Sequence, residues 1–379
     1  MKEDVNDNTK ASQVSRWAWR WQAIDYGFLL PMMSALPYGL AHALSQWRGA
    51  LNAKWGRDWA ELSVGVKYIA ERTAKAAQEL WPRLSSQALV KQRYQAIARE
   101  EWHGNLLGQG SLKGLSCNLA GLERMLQQAS PNKGLVVLTA HFDSFIVGMV
   151  GLGLCGRKTS VTTSNVYENA QVHFSVSAFF NRKYRGAEKF LNGGKFMHVE
   201  TSLRAFYKAL QRKETVVVVA DAPATLGGQG QWLTWFGKER KVANGGFRMA
   251  IETDSLICAM VSVTNNEGEV SWLCSDVYNP ETDTQFAQSL FGFFEASILE
   301  KGKNPAKAIK AVGSRGGAQP TYAQEYSTIA NSCPESARST NPCRIAGHQT
   351  ALALPVDLNT NGKTSRSPEA RRTCWELRA

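Results

Sequence analysis

The sequence predicts an α/β fold: a mixed, largely parallel central sheet flanked by helices, preceded by a helical, membrane-associated N-terminal segment. Gly134-Leu-Val-Val-Leu-Thr-Ala140 is a continuous apolar, β-branched run after a Pro-Asn-Lys-Gly turn, the pattern of a strand covered on both faces. Thr215–Ala220 repeats it. Segments of helical spacing lie between and around these runs, and alternation of strands with helices argues for a layered α/β fold.

The N-terminal segment, residues 1–60, has its own character. Six of the twelve tryptophans fall in the first 59 residues, interleaved with Arg16, Arg20, Arg48, Lys54 and Arg57. Between them runs a mostly apolar stretch from Ala23 to Leu44. It is about the roughly 20 residues needed to span a bilayer, but Asp25, Pro31, Pro37 and His42 disfavour spanning. Trp and Arg prefer the headgroup zone. The stretch therefore reads first as an interfacial anchor, with a single span and a buried core helix as alternatives. The first fifteen residues lack the look of a cleavable secretory signal.

Residues 61–303 carry the α/β pattern. A helical region from Val64 to about Arg99 is broken at Trp81-Pro82, with Ser85 or Ser86 as cap of its second half. A short helix is expected at Leu119–Ala129, a helix at Phe145–Leu154, a strand at Ser160–Thr163 and a helix at Ser202–Leu210. Leu256–Thr264 and Glu269–Asp276 flank Asn265-Asn266-Glu267-Gly268 as a hairpin. Residues 304–379 are rich in Ser, Thr, Pro, Gly and Arg with little periodicity. A low-order tail is the default reading; the composition also fits a stretch not selected for folding, such as the product of a shifted reading frame.

The formal charge of +12 favours acidic partners, whether anionic lipid, an acidic carrier protein or nucleic acid. Nothing in the chain matches a nucleic-acid module, so that partner is not expected. The seven cysteines form no C-x-x-C pair, which indicates neither a zinc knuckle nor a redox dithiol. No metal-ligand spacing, P-loop or G-x-S-x-G elbow occurs, and neither metal nor cofactor is expected. Gly151-Leu-Gly153-Leu-Cys-Gly156 spells a dinucleotide fingerprint, but it ends a helix rather than joining a strand to one.

The sharpest chemical feature is Thr139-Ala140-His141-Phe142-Asp143-Ser144-Phe145. His141 falls at the carboxyl end of a buried strand, the edge where open α/β sheets bind ligands. A neutral imidazole there can deprotonate an alcohol. Asp143, two residues on, faces the same way if the segment is extended, and would orient the ring; Asp143 or Ser144 would cap the next helix. The plain alternatives are a structural histidine and a capping aspartate. Asp221, after the second buried strand, is a candidate wall of the same cleft or part of a turn. Trp235-Phe236-Gly237-Lys238, with Arg240 and Arg248, sets aromatics beside basic groups. That combination suits an acyl chain and an anionic head, or equally an amphipathic surface loop.

In the order of its blocks, the stretch from Trp19 to Asp276 resembles the lipid A biosynthesis acyltransferases, the bacterial lauroyl and myristoyl transferases. The blocks are Leu135–His141, Asn181-Arg182-Lys183-Tyr184-Arg185-Gly186, Val216–Asp221 and Trp235-Phe236-Gly237. The resemblance implies a glycerolipid-acyltransferase-like fold and an acyltransferase moving groups other than aminoacyl groups. Acyl-acyl carrier protein or acyl-CoA would be the donor, and a hydroxyl of a glycolipid or lysolipid the acceptor. It further implies His141 as base, Arg182 and Arg185 as substrate contacts, and a place on the cytoplasmic face of the bacterial inner membrane, peripheral or held by a single anchor. The chain departs from the family where an acid should follow His141 by five positions: Ile146 stands there. Either Asp143 replaces that acid, or the protein is an inactive lipid-binding or membrane-scaffold relative.

Overall fold

The computed structural model describes residues 16–59, 68–82, 84–164, 172–221, 230–265 and 267–302. The tail from 304 onward and residues 222–229, which follow Asp221, lie outside them.

The core is a seven-stranded sheet of order β1-β9-β8-β2-β5-β3-β4. The strands are β1 (Cys117–Asn118), β2 (Leu135–Thr139), β3 (Thr159–Thr163), β4 (Phe196–His198), β5 (Thr215–Val219), β8 (Leu256–Thr264) and β9 (Val270–Cys274). All pairings are parallel except β8–β9, which is the expected hairpin. The sheet is thus mixed and largely parallel, as expected. Every residue of β2 is buried, because both faces are covered. Val136 and Leu138 belong to one apolar cluster, Leu135 and Val137 to the other.

Helix positions follow the sequence reading closely in the middle of the chain. Pro82 follows α4 (Tyr68–Leu80), and Ser85 caps α5 (Ser86–Gly108) by accepting from the Ala88 amide at 3.4 Å. Helix α6 spans Ala120–Gln128 and α7 spans Phe145–Leu154. Gly156, at φ +83°, closes the turn after α7, so the G-x-G-x-x-G spelling does end a helix. Helices α8 (Phe174–Ala187) and α9 (Val199–Gln211) follow β3 and β4. A separate hairpin, β6 (Gly230–Trp235) with β7 (Lys238–Ala243), precedes α10 (Gly245–Glu252), and α11 (Phe286–Gly302) closes the described chain.

The N-terminal segment forms α1 (Arg16–Ile24), a π-helical turn Asp25–Leu29, α2 (Leu30–Ser34) and α3 (Tyr38–Trp55). Pro37 breaks the apolar stretch between α2 and α3. Among the described residues no helix is long and apolar enough to cross a membrane. Tyr26, Leu30, Met33, Ala41 and Trp59 pack with Trp102, Phe179 and Phe180. Their amphipathicity is inverted. α3 buries Ser45, Arg48 and Asn52 while exposing Leu40, Trp47 and Trp55; upstream, Gln22 and Asp25 are buried while Ile24, Phe28 and Met32 are exposed.

Helix α5 is the hub. From Ala96 to Leu107 every residue is buried, charged ones included. Arg48 on α3 forks onto Asp25, Nε–Oδ1 at 2.8 Å, and reaches Glu101 at 2.6 Å; the Tyr26 hydroxyl also bonds Glu101. Burial raises the Glu101 carboxyl against the pull of Arg48. Such fork-shaped pairing is what lets these charges stay inside.

Candidate active site

Helix α7, which leaves β2, packs on one face of the sheet, and α10, reached from β5, packs on the other. Departure to opposite faces opens a crevice between the carboxyl ends of two adjacent parallel strands, the usual ligand site of such sheets.

Register fixes what stands in that crevice. β2 and β5 pair from Leu135 opposite Thr215 to Thr139 opposite Val219. The Ala220 amide donates to the Thr139 carbonyl at 2.7 Å, extending the ladder. Two residues further on, His141 and Asp221 are level, on strands about 4.8 Å apart. The imidazole Nδ1 lies 3.0 Å from Asp221 Oδ1, and the His141 amide donates to Asp221 Oδ2 at 3.0 Å. A carboxylate only accepts, so Nδ1 carries the proton and Nε2 is left as the basic nitrogen. The Asp221 side chain is 2% exposed and that of His141 16%. The ring is therefore held from the protein side and reachable from the other.

This corrects the expected pairing. The carboxylate on the ring is Asp221, placed by the sequence as a cleft wall, while Asp143 does other work. Asp143 has φ +49°, so the chain is not extended there and the same-face argument fails. Its Oδ1 is ion-paired with Arg99, and its Oδ2 accepts from the Thr264 amide at 2.7 Å. It ties α5 and the end of β8 to the loop before α7. Ser144 is the helix cap by position but makes no side-chain capping bond; its Oγ meets His103 Nδ1 instead. Ile146, five positions after His141 in the first turn of α7, is fully buried in an apolar cluster.

His141 lines a cavity of about 160 Å³ with Trp59, Ile97, Phe145, Met149, Phe179, Phe180, Tyr184, Phe196, Val199 and Val219. Its polar wall is Glu100, Glu101, Thr162, Thr163, Ser164 and Lys183. Phe145 stands edge-on to the imidazole, with centroids 4.6 Å apart.

The other expected substrate contacts do not gather here. Arg182 and Arg185 sit on exposed positions of α8, and Arg185 borders a separate depression with Asn181, Glu188 and His198. Lys183 between them lines the cavity, although no local sequence signal sets it apart from the two arginines. Trp235 is a core residue packed edge-on to Phe291 at 5.0 Å. Phe236 and Gly237, at φ +55° and +67°, form the two-residue turn of the β6–β7 hairpin, where two positive φ values match the strand twist. Lys238 pairs with Glu79, Arg240 Nε donates to the Trp235 carbonyl at 3.3 Å, and Arg248 pairs with Glu252. Among the described residues no group of three or more metal-ligating side chains occurs.

No family model and no curated protein sequence matches this chain. Among solved structures, it is similar to the 1-acyl-sn-glycerophosphate (LPA) acyltransferase PlsC from Thermotoga maritima. Sequence identity is 11%, the TM-score is 0.31, and the match covers 69% of this chain and 96% of that one.

Proposed function

We propose that this protein transfers a fatty acyl group from a thioester donor to a lipid hydroxyl at a membrane surface. The observation that carries the reading is the His141–Asp221 pair, its proton-accepting nitrogen turned away from the carboxylate, at the wall of an aromatic-lined cavity.

The step balances without an acyl-enzyme. His141 Nε2 takes the proton of the acceptor hydroxyl as its oxygen bonds to the thioester carbonyl carbon. Asp221 stabilises the imidazolium that results. Collapse of the tetrahedral oxyanion breaks the carbon–sulfur bond, and the leaving thiolate takes the proton back from the imidazolium. Acyl carrier protein and acyl-CoA both suit as donors. The inactive-scaffold reading drew on Ile146; with Asp221 on the imidazole, an acid at that position is not required to orient the base.

Membrane docking belongs to the same proposal. Ile24, Phe28, Met32, Leu40, Trp47 and Trp55 are exposed on helices that turn Gln22, Asp25, Ser45, Arg48 and Asn52 inward. Arg57 lies over the Trp55 ring at 4.1 Å and the Trp21 ring at 4.3 Å, the cation–aromatic mixture suited to headgroups. Glu101 joins these helices to the cavity through Arg48 and Tyr26. We place the protein at the cytoplasmic face of the inner membrane. The test is turnover by purified protein on mixed vesicles with radiolabelled acyl-carrier protein or acyl-CoA and a lysolipid acceptor. Transfer that His141→Ala abolishes supports the reading; transfer unchanged in that variant, or absent with every donor, overturns it.

A further inference from the structure

One buried charge on the cavity wall has no part in that chemistry. The Lys183 side chain is 3% exposed. Its Nζ lies 4.5 Å from the Phe180 centroid, 5.3 Å from Tyr184, 5.6 Å from Phe179 and 5.7 Å from Phe145. The aromatic faces offset part of the cost of desolvating the cation. The remainder shows in its acidity: burial pushes Lys183 down to about 7, with Glu101 opposing. Gly104 on α5 leaves room for the stem, since a side chain there would collide with the Lys183 methylenes.

The ammonium has three N–H donors. Among the described residues it makes no hydrogen bond; the ion-pair partner is Glu100, whose Oε1 is 3.8 Å away. That is too long for a hydrogen bond between the two. It is, however, a gap that one oxygen can bridge, at about 2.7–3.0 Å from both. A methylene in that position would leave the buried Lys183 ammonium without an acceptor, at roughly 1–3 kcal/mol. A carboxylate would meet Glu100 and Glu101, which both line the cavity. A hydroxyl donates to Glu100 and accepts from Lys183 at once.

We propose that Lys183 and Glu100 form a hydroxyl-binding subsite, so that the cavity selects lipids carrying a hydroxyl besides the one that reacts. Phe145 sets its place: its ring is 4.6 Å from the imidazole and 5.7 Å from Nζ, so the selected hydroxyl lies one aromatic ring from the reacting carbon. The hydroxyl sits either on the acyl chain or on the acceptor. Its role in turnover rests on the acyl-transfer reading, whereas its role in binding does not.

The experiment is calorimetric binding to the whole protein in detergent. The probes are methyl tetradecanoate, its 2-, 3- and 5-hydroxy derivatives, a monoacylglycerol and the corresponding acyl propane-1,2-diol. At least one hydroxylated member should bind tenfold or more tightly than its deoxy counterpart, and Lys183→Met and Glu100→Gln should each bring that ratio close to one. Equal binding throughout the panel, or a preference that survives both substitutions, overturns the subsite. Turnover with hydroxyacyl against plain donors, and with the two acceptors, then tells whether the hydroxyl comes from donor or acceptor. Absence of turnover with every donor would sink the acyl-transfer reading while the binding ratio still decides this one.

Discussion

His141 and Asp221 stand level across β2 and β5, each two residues past Thr139–Val219, the last pair of the ladder, and the Nδ1–Oδ1 distance of 3.0 Å follows from that register. A one-residue slip of either strand would send one of the two side chains to the other face. The pair is thus built by the sheet rather than by the loop that follows it. Asp221→Asn keeps the size and an acceptor for the His141 amide but removes the charge that favours the imidazolium. Turnover should fall ~10²–10⁴-fold, while the urea midpoint moves little. An Asp221→Asn enzyme of undiminished turnover would remove Asp221 from the mechanism.

Asp143 predicts the opposite profile. Its carboxylate is fully buried against Arg99, itself 9% exposed. Removing one member of a buried ion pair leaves the other uncompensated, at about 3–5 kcal/mol. Asp143→Ala should therefore lower unfolding free energy by that order, measured in urea. Adding Arg99→Met should recover part of the loss, because the uncompensated cation is then gone. Full stability of the single variant would contradict the structural role assigned to Asp143.

The central sheet was legible because β2 and β5 are apolar on both faces, and a continuous β-branched run has few other uses. His141 was legible because a strand end precedes it. Asp221 was visible, but its partnership was not: nothing in a single strand announces a register that pairs residues 80 apart. Arg99-Glu100-Glu101-Trp102-His103-Gly104-Asn105 is rich in charge, yet all of it is buried, with charges met by Asp143, Lys183 and Arg48 from three other segments. Such compensation is tertiary and leaves no local pattern. The hairpin turn at Phe236-Gly237 was hidden for a related reason: composition speaks of side chains, whereas two positive φ values are a property of the backbone.

Lys183 makes stability depend on pH in a stated direction. Its folded pKa is depressed to about 7 from an ordinary 10.5. Between those values the unfolded chain binds more protons, so stability rises with pH. The contribution is fully present above the unfolded value and is lost as pH falls through about 7. From pH 7 to pH 9 the native state should gain about 2 kcal/mol from this group. Urea midpoints of wild type and Lys183→Met, compared at pH 6, 7, 8 and 9, isolate it. The wild-type curve should climb relative to the variant above pH 7, and parallel curves would show that Lys183 is not held in the neutralising environment described here.

The inverted helices at the N-terminus make the last prediction. Phe28 and Trp47 are each 63% exposed, so replacing them removes little that holds the fold. If that face enters a headgroup layer, each large side chain brings roughly 1.5–3 kcal/mol of transfer free energy when fully buried. Phe28→Ser and Trp47→Ser should therefore each weaken sedimentation with anionic vesicles by about tenfold, with thermal unfolding nearly unchanged. Raising the salt should weaken the wild type too, since Arg20 and Lys54 are exposed on the same helices and act through screened charge. Arg48→Met separates docking from structure: it leaves Asp25 and Glu101 buried without their cation, so it should destabilise the fold. Vesicle binding that survives both serine substitutions would mean that the exposed apolar residues of these helices meet something other than lipid.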